Sequence, residues 1–167
     1  MPVLTPPPVG YDGIIRFCGD IGAYLRQDGT ISREWESEKL AFARLPAPMV
    51  LSWDLSTEIS RVRVHKKAVG VFEAAFRAVH QQGLWRHLRV FGGAYVFRVV
   101  RGAAKLSTHA FGLGTDHDPK GNPLGTPPSE CAMPRDAVEV MEDYGFTWGG
   151  RFSGRPDCMH FQFARRY

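Results

Sequence analysis

STHAFGLGTD, from Ser107 to Asp116, decides how the chain is read, together with DCMHFQF from Asp157 to Phe163. These two short segments hold an unusual density of groups that can bind a metal ion. Imidazole nitrogen and carboxylate oxygen both suit zinc at about 2.0–2.2 Å. A catalytic zinc site commonly takes three protein ligands and leaves a fourth position open. His109, Asp116 and His160 would supply such a set. Gly112 and Gly114 lie between the first two, and glycine lets the backbone turn sharply or pass close to another group. His160 opens an alternating segment that reads as a strand, a rigid place from which to present a ligand. Asp157, three residues earlier, is placed to touch the attacking water rather than the metal. A carboxylate there can accept a proton and return it to the leaving amine. Negative charge developing on the attacked carbonyl needs a cation or donor, and Arg98 and Arg101, just upstream, are candidates.

Working outward from these segments, the mixture of elements predicts an α+β fold, a small antiparallel β-sheet flanked by helices. Lys66 to Leu84 is the clearest helix, because Val69, Phe72, Ala75, Phe76 and Val79 recur at three-to-four-residue spacing. A second helix is predicted from Pro134 to just before Gly145, with Ala137, Val138 and Met141 facing the core. Glu34 to Ala43 reads as a short helix that Leu45–Met49 (LPAPM) breaks, since proline cannot continue it. Val62–Val64, Leu88–Val90, Tyr95–Val100 and Phe161–Phe163 read as strands, with Gly92-Gly93 as a turn between the middle pair. The chain of 167 residues is read as a single domain. Residues 1–60 would be an N-terminal extension or cover and residues 61–167 the catalytic core.

Composition bounds the function. Hydrophobic residues make up 44% and charged residues 23%, which fits a globular domain with a substantial core. No run of about 18 apolar residues occurs, so no membrane span is expected. The N-terminus lacks a basic start and an apolar stretch, so no signal peptide is expected. If its substrate lies outside the cytoplasm, the protein would be made in the cytoplasm and leave by lysis, injection or non-standard export. Three cysteines, Cys18, Cys131 and Cys158, imply no disulfide framework, and no bridge is predicted. The net charge of +4 suits a polyanion, but no recognition helix, zinc-finger spacing or RNA-binding aromatic motif supports nucleic acid as a partner.

Two motifs carry a resemblance. STHAFGLGTD is similar to the SxHxxGxAxD motif of the zinc D-alanyl-D-alanine carboxypeptidases and L-alanyl-D-glutamate endopeptidases. GFTWGGRFSGRPDCMHFQF, from Gly145 to Phe163, is similar to that group's GFxWGGxW…DxxHFQ ending. The group includes several phage endolysins and shares a metal-site fold with lysostaphin-type enzymes and hedgehog. The resemblance runs from about Gly92 to Phe163. It implies zinc held by His109, Asp116 and His160, with Asp157 as the catalytic acidic residue. It places Arg98 where the family carries an arginine for the scissile carbonyl, with Arg101 as the close alternative. Ser107, Trp148 and Gln162 would support the loop, the pocket or the substrate.

The implied activity is hydrolysis of peptide bonds in bacterial peptidoglycan stem peptides, endolysin-like at L-Ala–D-Glu or a nearby bond. A D-Ala-D-Ala carboxypeptidase or dipeptidase is the alternative. It would need a cation for a terminal carboxylate, and Arg98, Arg101, Arg151 and Arg155 are all available. A non-catalytic zinc-containing component of a phage tail or injection device is a third reading. Docking to a phage or secretion particle would use the WDLS turn (Trp53–Ser56) or the basic stretch from Arg61 to Lys67. Three departures from the family pattern stand out. Gly114 replaces alanine. His117 falls in a segment read as an exposed loop, with reach to the site rim as the other option. Cys158 stands where some relatives carry a further histidine.

Overall fold

The computed structural model describes residues 5–100 and 105–167. Its centre is a six-stranded mixed sheet in the order β2-β1-β3-β4-β6-β5. The strands are β1 (Leu40–Leu51), β2 (Asp54–His65), β3 (Val90–Gly93), β4 (Gly114–His117), β5 (Thr147–Trp148) and β6 (His160–Gln162). Among the described residues four helices accompany it: α1 (Gly10–Cys18), α2 (Arg33–Lys39), α3 (Val69–Gln81) and α4 (Arg135–Asp143). Only β1 and β3 pair in parallel; the other neighbours are antiparallel. The α+β expectation therefore holds, with one parallel pair added.

The apolar stripe of α3 does what its spacing predicts. Phe72, Ala75, Phe76 and Val79 are all buried, while Val69 packs at the edge of the core. The helix is shorter than expected, because Lys66–Ala68 form a separate 3-10 turn before it. The face of α4 carrying Ala137, Val138 and Met141 is also buried, and Gly145 follows it at φ +87°. Phe146 stands edge-on to Phe72 at 4.9 Å and tilted to Phe163 at 5.6 Å, joining helices and sheet in one core.

Three expectations need correction. The helix over Glu34–Ala43 stops at Lys39, and Leu40–Ala43 enter β1. Cross-strand pairing from Leu40↔His65 to Ala43↔Val62 outweighs a weak local preference for helix. LPAPM then breaks no helix: it lies inside β1, where the register shifts between Arg44 and Met49. Proline cannot donate to a ladder, so it is confined to such irregularities. The amide of Arg44 is instead accepted by the Glu73 carboxylate of α3 at 2.8 Å.

The pair of strands around Gly92-Gly93 is also different. These glycines lie within β3 rather than in a turn. A Cβ on Gly92 would come 2.7 Å from Pro119 Cγ, so glycine lets the segment after β4 pass close by. Tyr95–Val100 forms no strand. Only an isolated bridge joins Val99 to Leu106, with Val100 N–H donating to Lys105 O at 2.8 Å.

The boundary expected at residue 60 falls inside β2, so residues 1–60 supply β1 and half of β2 to the same sheet. The chain ahead of α1 is fastened to the far end of the protein: Gly10 N–H donates to Arg165 O and Arg165 N–H to Pro8 O. At the β1–β2 turn Trp53 and Leu55 are exposed. The basic stretch after them is partly spent on internal contacts. Arg63 pairs with Glu36 at 3.2 Å, Lys67 Nζ donates to Phe17 O at 2.7 Å, and His65 is fully buried. No described helix is long and apolar enough to cross a membrane.

Candidate metal centre and active site

His109 rides on a 3-10 turn over Thr108–Phe111, capped by the Ser107 hydroxyl, which accepts from His109 N–H at 3.3 Å. The turn closes at Gly112, which has φ +67°. A side chain there would be strained, and its Cβ would also lie 2.6 Å from the His65 amide nitrogen. The chain then enters β4, which carries Asp116. Strands β4 and β6 are antiparallel with Asp116 directly opposite His160. Side chains directly opposite on one face of a sheet have Cβ atoms about 5 Å apart. The three residues singled out in the sequence therefore meet because a tight turn and a cross-strand pair converge.

Their donor atoms form a small triangle. His109 Nε2 lies 3.1 Å from His160 Nδ1, His160 Nδ1 lies 2.8 Å from Asp116 Oδ1, and His109 Nε2 lies 3.2 Å from Asp116 Oδ1. Donors around a tetrahedral zinc stand about 3.3–3.4 Å apart, given bonds of about 2.0–2.1 Å. Two sides of the triangle thus need to open by a few tenths of an ångström, and the shortest, between His160 and Asp116, by about half an ångström, to hold the ion.

The opposite side of each ring is also tied. His109 Nδ1 is hydrogen-bonded to the Ala94 carbonyl, which leaves its Nε2 lone pair facing the triangle. His160 Nε2 donates to Gln162 Oε1 at 3.1 Å, and the Thr108 hydroxyl donates to the same oxygen at 3.3 Å. This leaves Nδ1 of His160 for the ion. Such outer partners orient ligating histidines and raise their basicity.

Electrostatics point the same way. Burial tends to raise the Asp116 carboxyl, but hydrogen bonds with His109 and His160 outweigh it and hold it well below the usual carboxylate range. Burial tends to lower the His160 imidazole, but Asp116 outweighs it and holds the ring above its usual value. The cluster therefore attracts positive charge, and metal binding displaces the proton that otherwise sits there.

Asp157 lines the same cavity of about 480 Å³. Its amide donates to Gly149 O at 2.9 Å, and its carbonyl accepts from His160 N–H at 3.1 Å. A Cβ on Gly149 would come 2.4 Å from Asp157 O, so the WGG segment must carry glycine here. The Asp157 Oδ1 atom is buried and has no hydrogen-bond partner among the described residues. Burial raises this carboxyl above its ordinary value, against the opposing pull of His160. A buried, unsatisfied carboxylate oxygen beside three converging ligand atoms is the expected state of a group waiting for a ligand or solvent.

The matched segment can now be named. Residues 101–163 match the family model described as D-alanyl-D-alanine carboxypeptidase.

Residues 101–163 are a domain of the D-alanyl-D-alanine carboxypeptidase family. That domain, less than half of the chain, holds the His109, Asp116 and His160 candidate zinc site of a metallopeptidase. No curated protein matches the chain.

The other predicted residues of this carboxypeptidase-family site divide into groups. Arg98, Ser107 and Gln162 line the cavity with the ligands. Arg98 is held beside the His109 turn, because its carbonyl accepts from Ser107 N–H at 2.9 Å. Trp148 is not part of the cavity lining: it is buried in the core, and its Nε1–H donates to Cys158 O at 2.8 Å. It supports the Asp157–His160 segment from behind. Arg101 lies outside the described residues. Arg151 grips Glu142 with two bonds of 2.7 and 2.8 Å.

Two departures resolve differently from expectation. His117 is neither an exposed loop residue nor part of the rim. As the next residue after Asp116 on β4 it points to the opposite face. There it is fully buried against Phe76 and Phe161, with Nδ1 hydrogen-bonded to Leu88 O at 2.8 Å. Cys158 is no free thiol: it forms a disulfide with Cys131, a bridge the sequence reading did not predict. At Gly114, an alanine Cβ would lie 2.9 Å from His160 Cε1 and 3.0 Å from Thr108 Oγ1. Glycine is what lets these rings close in this chain.

Sequence reasoning missed Thr108, Lys105, Phe152 and Tyr167, all of which line the cavity. Gln162 is legible from the HFQ motif, but Thr108 carries no spacing signal until the turn places it under His160.

Proposed function

We propose that the protein is a zinc peptidase that hydrolyses peptide bonds in peptidoglycan stem peptides, at L-Ala–D-Glu or a neighbouring bond. The observation that carries this reading is the orphaned Asp157 oxygen beside the three converging ligand atoms. His109, Asp116 and His160 would hold the ion. A bound zinc supplies Lewis acidity, which brings the pKa of a coordinated water near 7 and polarises a carbonyl. Asp157 takes the proton from the attacking water and returns it to the leaving amine. Its raised pKa suits that exchange. Arg98 lines the cavity and acts on the Asp157 charge from nearby, so its guanidinium receives the negative charge that develops on the carbonyl oxygen.

A second reading, removal of a terminal D-alanine, has its own observation: Arg98, Lys105 and Arg155 all line the cleft, enough cation for a terminal carboxylate. A purely binding role fits less well, because it gives the Asp157 carboxylate no task. We place the catalytic groups in residues 61–167, while residues 1–60 complete the sheet that carries them with β1 and the first half of β2. Action in the periplasm or cell wall, after lysis, injection or non-standard export, completes the proposal, with docking to a phage or secretion particle as its delivery arm.

Digestion of purified peptidoglycan with the zinc-loaded protein tests this. Fragments with a new N-terminal glutamate, identified by mass spectrometry, support the endopeptidase. Free D-alanine alone supports the second reading. Intact stem peptides after prolonged incubation with folded, zinc-loaded protein would overturn both.

A further inference from the structure

Among the described residues three cations line the cavity, Arg98, Lys105 and Arg155, against two acids, Asp116 and Asp157. None of the three cations forms an ion pair among the described residues, whereas Lys39, Arg63, Arg89, Arg135 and Arg151 all do. Asp116 is committed to the two histidines. The cleft therefore presents net positive charge to a substrate. Arg98 is occupied near Asp157, whose carboxyl it influences. Lys105 Nζ sits 4.1 Å from the centre of the Tyr167 ring, held at the cavity wall. Arg155 rests beside Gly125, where a Cβ would be 3.5 Å from its Nε. Gly125 N–H donates to Pro156 O at 2.8 Å, and the Cys131–Cys158 bridge ties the same two segments together. The arginine thus stands on a doubly fastened shelf, two residues before Asp157.

Arg155 and Asp157 line the same cavity; in the peptidase reading Asp157 serves the leaving amine, and Arg155 is assigned to the side of the residue that leaves. In a stem peptide cut at L-Ala–D-Glu, the leaving glutamate is linked through its γ-carboxyl. Its free α-carboxylate sits on the carbon that bears the new amine. A terminal D-alanine presents the same arrangement. One cation at this place would serve either bond.

We propose that Arg155, with Lys105 as a second cation, reads a free α-carboxylate on the carbon carrying the leaving amine, so that the protein discriminates against substrates amidated there. A guanidinium suits the task because its fork matches a carboxylate with two parallel donors. A neutral carboxamide gives up the charge and one acceptor. The proposal rests on the peptidase reading above.

The test uses two synthetic stem peptides identical except for a free acid or a carboxamide at the leaving residue. Cleavage is measured with zinc-loaded wild type, and binding by calorimetry with zinc-loaded Asp157→Asn. The expected preference for the free acid is about 10- to 100-fold, the size of a charge-assisted hydrogen-bond pair. Arg155→Gln should bring the ratio close to one, chiefly through KM and Kd for the acid, with zinc content equal to wild type. Arg155→Lys should keep part of the preference, and Arg151→Gln, whose guanidinium is held by Glu142, should keep all of it. Equal handling of acid and amide by the wild type, or an undiminished preference in Arg155→Gln, would overturn the proposal. If the wild type cleaves neither peptide, the peptidase reading falls, and the Kd ratio still decides. An acid preference in the Kd of Asp157→Asn that is lost in the Asp157→Asn, Arg155→Gln double variant supports the carboxylate reader, and equal Kd values for acid and amide in Asp157→Asn itself refute it.

Discussion

In the proposed mechanism activity turns on Asp157, and Asp157→Asn isolates its role. The change keeps the shape and removes the proton acceptor. Cleavage should fall by about 10²–10⁴-fold, while the protein still takes up zinc through His109, Asp116 and His160. Initial rates with metal analysis on the same samples check this; a rate within fivefold of wild type would remove Asp157 from the mechanism. At this scale the sequence was informative where residue type and spacing both speak. HxxxxxxD and DxxH each match often by chance; together, with glycines between His109 and Asp116 and a strand at His160, they become suggestive, and the resemblance made them specific. Thr108, Lys105 and Tyr167 were silent, because a lone residue announces nothing until the fold sets it beside a ligand. His117 misled for a related reason. Its neighbours look like a loop, yet the two-residue period of β4 sends it to the core face opposite Asp116.

The elements around the site are held by close packing that single substitutions expose. Gly149→Ala would push a Cβ to 2.4 Å from the Asp157 carbonyl. Overpacking of this kind costs about 1–3 kcal/mol, and here it also displaces the catalytic segment. A lower Tm together with slower cleavage is expected from thermal melts and rate assays. The Cys131–Cys158 bridge spans 27 residues, and closing a loop of that size contributes about 3 kcal/mol. Reduction should lower Tm by about 10 °C and slow cleavage, because Cys158 lies between Asp157 and His160. Unchanged Tm and rate in reductant would show that the bridge is idle. Strong periodicity made α3 and α4 readable. Strand β1 was not, since its prolines and its short helix-like prelude hide a strand that only its partner β2 defines. The bridge was hidden too, as three widely spaced cysteines carry no pairing information.

Across the whole molecule the sheet is shared by both halves of the chain, which a division at residue 60 does not convey. His65 illustrates the coupling. It ends β2, it is fully buried, and its Nε2 donates to Cys18 O of α1 at 3.3 Å while Nδ1 accepts from Lys67 N–H at 3.3 Å. Burial first, then the nearby lysines, hold its pKa down to about 4 despite the Cys18 carbonyl. The unfolded chain binds this proton near pH 6.5 and the folded one does not until about pH 4. Its contribution to stability is therefore complete above about pH 6.5 and is lost as pH falls toward 4, by up to about 3 kcal/mol. Melting curves between pH 4.5 and 7.5 should show a steeper acid loss for wild type than for His65→Gln. Parallel curves would contradict the assignment. The sequence marked the RVRVHKK stretch as surface, and strand alternation would set His65 with Arg61 and Arg63 on the open face, whereas Val64 and His65 are both buried where β2 ends.

Zinc uptake by the folded protein tests the central claim most directly. Wild type stripped with a chelator and titrated with zinc against a competing indicator should bind one ion per chain. His160→Gln and His109→Gln should lose that site, and Asp157→Asn should keep it. Wild type that folds but binds no zinc, or a His160→Gln variant that binds it equally well, would contradict the account.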